Sequence, residues 1–444
     1  MKLTPEWRVY VLGATLCVAL TVCSRNFADR GGPYFMASLT LAGIVYLLSI
    51  REFFRGRGPV RLRSGQVRAT PGFPRRVVVL GLVLAAVWHI LFLRLPAGAD
   101  DDIHRYVWDG RLQRLGYNPY LVIPSDPAMK GLHTPETRTL NNPDLPSPYP
   151  AGAQLFFRAV TAIQESTFAL KVAFVVCEFA IVFLLLDVLR CTRQGAHLVL
   201  AFAWNPLLAI EVAGSGHIDI VAALLLLVSA AALVRRWRAT AAVALGLAVA
   251  VKLLPVVLLP LYWKRVRIRD SALAAAVVGL LYVPFLNHGG IPIGSLGTYV
   301  QTFRFNGPVF AMLDQVAPPQ LLAGLAVLVG LVTAAWLRST ALEWSPDLFA
   351  WPMAASLLCA PVVFPWYLLG LLPFLMSAST LVIIVWTVSI IPTYVQWHLR
   401  AIGRPWGALP GWVMALEYGC VATAGAMIGL RQLMRPVAPR TQTD

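Results

Sequence analysis

Long apolar runs alternate along this chain with short polar breaks, and few charges interrupt the runs. "VVVLGLVLAAVWHILFL" (77–93), "FALKVAFVVCEFAIVFLLLDVL" (168–189) and "LLAGLAVLVGLVTAAWL" (321–337) approach the length that crosses a hydrocarbon core as a helix. Applied throughout, the pattern predicts spans at about 9–23, 34–50, 77–95, 168–189, 197–213, 217–234, 271–287, 319–337, 347–361, 364–378, 380–396 and 411–430. The expected fold class is an all-α polytopic membrane protein, one integral domain over 1–444 with about 12 (11–13) transmembrane helices. No internal repeat of the kind that builds many transporters is visible.

The polar breaks orient the spans. "REFFRGRGPVRLRSGQVRATPGFPRR" (51–76) holds eight arginines against one glutamate, which marks the cytoplasmic side. Residues 190–193, 235–238 and a short tail, 431–444, then fall on that side. Residues 96–150, 213–217 and 288–318 fall outside. One segment resists this scheme: "ATAAVALGLAVAVKLLPVVLLPLYW" (239–263) is long enough to span, yet both flanks are basic. A re-entrant hairpin broken near Lys252 and Pro255 resolves it, because proline lacks a donor and bends the chain. Lys252 is expected there to be structural or lipid-facing.

Composition narrows the class. The chain is 58% apolar and 13% charged with a mean hydropathy of +0.68, more apolar surface than a soluble fold hides. A net charge of +16 fits positive loops against anionic lipid headgroups, and no aromatic platform argues for nucleic acid. The six cysteines have neither disulfide-framework nor zinc spacing, so no metal and no cofactor are expected. The N-terminal segment lacks a clear cleavage site and is expected to remain as the first span.

Two outer segments are long and polar. The first, 96–164, turns proline-rich after Tyr117 and ends in "AGAQLFFRAVTAIQ" (151–164), whose Phe156, Phe157, Val160 and Ile163 predict an interfacial helix. The second is 288–318. The first opens on "DDDIHRYVWDG" (100–110), a costly concentration of charge in an acid-poor chain. A helix cap and an ion pair with Arg105 explain one or two of these aspartates. Crowded carboxylates beside a low-dielectric surface also raise a pKa, one route to a general base. Asp102, Tyr106 and Asp109 share one helical face.

The string DDxxRYxWDGRxQxxGxNPY, followed by a proline-rich turn and an AQ-helix, resembles the GT-C superfamily of integral membrane glycosyltransferases. Its nearest branch is the bacterial polyprenol-phosphate-mannose-dependent mannosyltransferases. "AWNPLLAIEVAGSGHIDIVAALLLL" (203–227), "KLLPVVLLP" (252–260) and "FPWYLLGLLPFL" (364–375) echo it in order, so the resemblance runs over roughly 77–396. It implies a GT-C-like bundle in a bacterial inner membrane with an extracytoplasmic active site. It implies that Asp102 or Asp101, with Asp102 favoured by its offset to Arg105–Tyr106, removes a proton from an acceptor hydroxyl. A sugar, mannose by this branch, then moves with inversion from a polyprenyl-phosphate donor to a lipid-linked glycan or glycolipid. His104 stands where tyrosine is usual, and "SPYPAG" replaces a YPP turn.

Cations near the outer surface are candidates for the donor phosphate. His217 in "AGSGHID" heads them, since that turn and the following helix start favour an anion; either His217 or Asp219 also suits a simple cap. His288 and Arg304 belong to the second loop, and Arg105 and Arg111 either orient substrate or neutralise the acids. Glu178 and Glu211 are intramembrane acids, with Lys171 or Lys252 as possible partners. The competing reading is a transporter or flippase for a lipid-linked sugar, which would place its polar residues at mid-depth.

Overall fold

A computed structural model describes residues 4–55, 60–61, 67–68, 72–98, 101–286, 292–341, 343–407 and 409–433. Asp100 and His288, the tail beyond 433 and most of the arginine-rich 56–71 segment lie outside those residues. The architecture is helical, the chemistry a hydrocarbon environment imposes, since a helix satisfies its own backbone donors and acceptors. The first part comprises α1 (Pro5–Arg25), α2 (Pro33–Phe54), α3 (Arg75–Leu93), α4 (Asp102–Arg114), α5 (Ala151–Ile163), α6 (Thr167–Cys191) and α7 (Val199–Ala203). It continues with α8 (Asp219–Val234), α9 (Arg238–Val251) and α10 (Ile268–Tyr282). Then follow α11 (Leu296–Thr302), α12 (Pro308–Leu313), α13 (Pro319–Thr340), α14 (Ala350–Leu358), α15 (Leu381–Ser389), α16 (Val395–Ala401) and α17 (Gly411–Leu433). A two-residue antiparallel pair, Val60–Arg61 with Val67–Arg68, lies in the basic loop.

Eight helices among the described residues are long and apolar enough to cross a membrane, or nine if one bent pair counts as a single span. The expected 197–213, 217–234, 347–361 and 364–378 segments form broken or shorter helices instead. The bend has a local cause. Pro206 disfavours helical backbone in the residue before it, and Asn205 Oδ1 accepts the Leu207 amide at 3.0 Å. The chain turns 67° and resumes as a π-helix over Leu208–Gly214. Polar bonds between elements fix the crossing: Trp204 Nε1 donates to Gly81 O at 2.9 Å, Tyr46 Oη to Ala201 O at 2.7 Å, and Asn205 Nδ2 to Thr387 Oγ1 at 2.9 Å. Without water to compete, such bonds lock helix pairs where apolar packing alone discriminates weakly.

The expected hairpin is present. α9 ends at Val251 and a 3₁₀ helix, Leu254–Tyr262, follows after Lys252 and Leu253. Fourteen α residues rise about 21 Å, and nine 3₁₀ residues about 18 Å, so the legs match. Their basic ends meet: Arg236 and Arg238 share a pocket with Arg267 and Arg269. Both flanks thus lie at one face, and Lys252 at the other.

Candidate active site

α4 carries the acidic motif, and its start is not held by the expected cap. Asp101 occupies the N-cap position with extended backbone, but its side chain bonds no helix amide. Its Oδ2 accepts the Gly98 amide at 2.7 Å and its Oδ1 pairs with Arg30 at 2.8 Å. Arg30 and Asp101 are both almost wholly buried, and Arg30 also donates to Ser215 Oγ at 2.8 Å. This pair staples the loop between α1 and α2 to the acidic motif. Asp102, first in the helix, stands half-buried in the wall of a cavity of about 850 Å³. The macrodipole there favours its charge. Asn141 Nδ2 donates to its Oδ1 at 2.5 Å. Lost hydration pushes the Asp102 pKa up, while Asn141, the Lys252 charge and Tyr149 pull it back.

The remaining α4 candidates divide. Arg105 lines the cavity, and its Nη2 donates to the carbonyls of Asn142 and Leu145 at 2.8 and 2.7 Å, which fixes the loop bearing Asn141. Tyr106 lies off the wall, stacked on Phe157 at 4.4 Å and edge-on to Tyr149 at 5.0 Å. Asp109 is also off the wall, wholly buried, and accepts from Ser147 Oγ at 2.5 Å and Gln154 Nε2 at 2.9 Å. Burial pushes its pKa up to about 6 against the Arg105 charge and these donors. Arg111, expected either to orient substrate or to neutralise the acids, is off the cavity wall and binds Glu165 together with Arg114.

The bent helix delivers the second wall. Gly216 takes φ +78°, a conformation that side chains resist, and the chain turns there into α8. His217 lines the cavity with its ring stacked on Trp366 at 4.1 Å, and its Nδ1 sits 3.2 Å from Glu211 Oε2. Tyr394 Oη donates to the other Glu211 oxygen. Asp219 pairs with Lys252, 2.9 Å from Oδ1 and 3.0 Å from Oδ2. Lys252 also sits over the Tyr367 ring at 4.5 Å. It is neither lipid-facing nor bonded to an intramembrane glutamate; it lines the cavity. Glu178 pairs with His89 at 2.7 Å, and Lys171 donates to Leu95 O at 2.6 Å.

The second loop contributes backbone and apolar surface rather than its arginine. Arg304 is absent from the cavity wall: it pairs with Asp314 at 2.7 Å and donates to three carbonyls at the end of α11. Ser295, Leu296, Tyr299, Val300 and Phe303 do line the cavity. A short bridge, Phe305 N to Pro361 O at 3.0 Å and Val363 N to Phe305 O at 2.8 Å, ties this loop to the segment after α14. Residues the sequence reading did not single out complete the wall: Arg400 and Arg404, with Trp397 and Trp406 beside them. The only signal for them was basic and aromatic residues closing an apolar run. Ala323 and Val327 of α13 extend the wall as an apolar strip along a membrane-length helix. Among the described residues no group of three or more His, Cys, Asp or Glu is placed to hold a metal ion.

The chain therefore brings Asp102, Arg105, His217, Asp219 and Lys252 to one cavity from three separate segments. Residues 23–266, more than half of the chain, match the MptA_B family model, described as alpha-(1->6)-mannopyranosyltransferase, N-terminal domain. A similar solved structure is ArnT from Cupriavidus metallidurans bound to undecaprenyl phosphate, at 15% identity over 81% of this chain and 72% of that one, with a TM-score of 0.44. No curated protein sequence matches. On the family match, the chain belongs to the MptA_B family of GT-C mannosyltransferases and is a membrane glycosyltransferase rather than a transporter or flippase.

Proposed function

We propose that the chain transfers mannose from a polyprenyl-phosphate donor to a lipid-linked glycan or glycolipid, with inversion, at the outer leaflet of a bacterial inner membrane. The observation that carries this is the division of one cavity: a half-buried carboxylate, Asp102, on one wall, cations on the others, and an apolar strip on α13. In this reading Asp102 takes the acceptor hydroxyl proton as that oxygen forms a bond to the anomeric carbon. The bond from that carbon to the phosphate oxygen breaks, and polyprenyl phosphate leaves with the electron pair. Lys252, His217, Arg400 and Arg404 face the phosphate, whose charge rises as it departs. The Asp219 carboxylate holds the Lys252 ammonium, and the isoprenoid lies along Ala323 and Val327. Asp101, with both oxygens engaged, positions α4. The mannosyl unit and the polyprenyl donor follow the family to which the chain belongs; an apolar strip on a cavity wall that also carries Lys252, Arg400 and Arg404 suits a lipid donor better than a nucleotide.

The test is transfer from radiolabelled polyprenyl-phosphate mannose by the purified full chain. Asp102→Asn is expected to lower kcat by about 10²–10⁴-fold with little change in KM. Unaltered transfer by that variant removes the proposed base.

A further inference from the structure

The hairpin's other end, opposite the carboxylate cavity, holds a second pocket of about 380 Å³ lined by Arg236, Arg238, Ala239, Arg267, Arg269 and Asp270. Four exposed arginines and one buried aspartate line it. Asp270 is already engaged: its Oδ2 accepts the Arg267 amide at 3.0 Å, and its Oδ1 reaches Arg269 only at 4.0 Å. Among the described residues no other acid pairs with these arginines. The charge is placed against the local field. α9 begins at Arg238 and α10 at Ile268, so two helix N-termini, each the positive end of a macrodipole, open on the same pocket. Trp237, at the α9 N-cap, supplies no side-chain bond, so the first amides of that helix remain free to face an anion. Cations so placed at two helix starts favour an anion among them.

The surroundings indicate where that anion sits. Trp237 and Trp263 at this level are 60% and 70% exposed, the position aromatic side chains take at a bilayer interface. Along α10, Leu273 and Leu280 are exposed, and Val283 just beyond its end continues the apolar row. A ligand with a phosphate in the pocket has hydrocarbon surface beside it. We propose that this pocket binds the headgroup of an anionic phospholipid, its phosphate on the four arginines and its acyl chains along α10. The chemistry shared with free phosphate is the oxyanion; the apolar row favours the lipid.

Native mass spectrometry and thermal unfolding of the detergent-purified full chain test this, with cardiolipin, phosphatidylglycerol, phosphatidylcholine and inorganic phosphate as separate probes. Saturable occupancy by the two anionic lipids and not by phosphatidylcholine is expected. Affinity is expected to fall about fivefold per arginine removed in Arg236→Gln/Arg238→Gln and in Arg267→Gln/Arg269→Gln. Paired Arg→Lys changes are expected to retain most of it. Ala239→Glu keeps every arginine yet places a carboxylate in the pocket, so it is expected to abolish binding even if the glutamine variants unfold. Equal occupancy by phosphatidylcholine, or anionic-lipid binding unchanged in Ala239→Glu, overturns the proposal. So does stabilisation by inorganic phosphate with no lipid retained.

Discussion

Both oxygens of Asp101 are occupied, by Arg30 and by the Gly98 amide, whereas Asp102 gives one oxygen to Asn141 and faces the cavity. Asp101→Asn is expected to destabilise the protein by about 3–5 kcal/mol, because it leaves the Arg30 guanidinium buried without its counter-charge. Thermal unfolding in detergent checks this, with Asp102→Asn as the near-neutral comparison. A base acts only when ionised, so the rate falls as pH drops through its pKa. Since the cavity raises the Asp102 pKa, the acid limb of kcat/KM is expected above the ordinary carboxylate range, and to vanish in what activity Asp102→Asn retains. Asp109 gives a stability signature instead. Its folded pKa of about 6 exceeds the unfolded value near 4, so over that window the folded state binds more protons. The protonated form's advantage is complete below about pH 4 and is lost as pH rises to about 6, roughly 3 kcal/mol in all. The slope of melting temperature across that window is expected to flatten in Asp109→Asn. The resemblance favoured Asp102 as the base, but the residues alone gave no sign of what holds Asp101 or Asp109: Arg30 lies 71 residues from Asp101, and Ser147 and Gln154 reach Asp109 only once the proline-rich loop folds over α4.

At the scale of elements, the hairpin was legible because charge, length and proline agreed: two basic flanks, an apolar run and Pro255 permit few other paths. Its tip was not. A lysine in an apolar run gives no sign of its partner, and Asp219 sits at the start of another helix, 33 residues away. The short helices α4 and α5 posed the same difficulty, because their pairing rests on a close approach rather than on periodicity. A Cβ at Gly110 would lie 2.4 Å from Thr161 Oγ1 and 2.7 Å from Phe157 O. The second contact is backbone and cannot swing aside. Gly110→Ala is therefore expected to part α4 from α5 and cost about 1–3 kcal/mol. The effect is read as a lower melting temperature with transfer reduced in proportion to folded protein. Thr161→Ala removes only the side-chain contact and is expected not to rescue it.

For the whole molecule, the family match ends at residue 266, yet the cavity does not. The part it covers supplies Asp102, His217, Asp219 and Lys252; the part beyond supplies α11, the α13 strip, Trp366 and the Arg400–Trp406 corner. The sequence showed the acidic half, because aspartates are conspicuous in an acid-poor chain. It concealed the apolar half, because any leucine- and alanine-rich span reads as lipid-facing until a neighbour turns one side inward. That inward side carries the final prediction. Ala323 is half-buried on the cavity wall, one helical turn from Val327. If a donor's isoprenoid lies there, a bulkier residue meets the chain rather than the sugar and leaves the reacting atoms alone. Ala323→Trp is expected to raise KM for a long-chain polyprenyl donor about tenfold while changing kcat little. A donor whose chain is too short to reach residue 323 should be unaffected, since it ends before the obstruction. Equal changes in KM for both donors would show that the strip serves packing alone and that the lipid leaves the cavity by another wall.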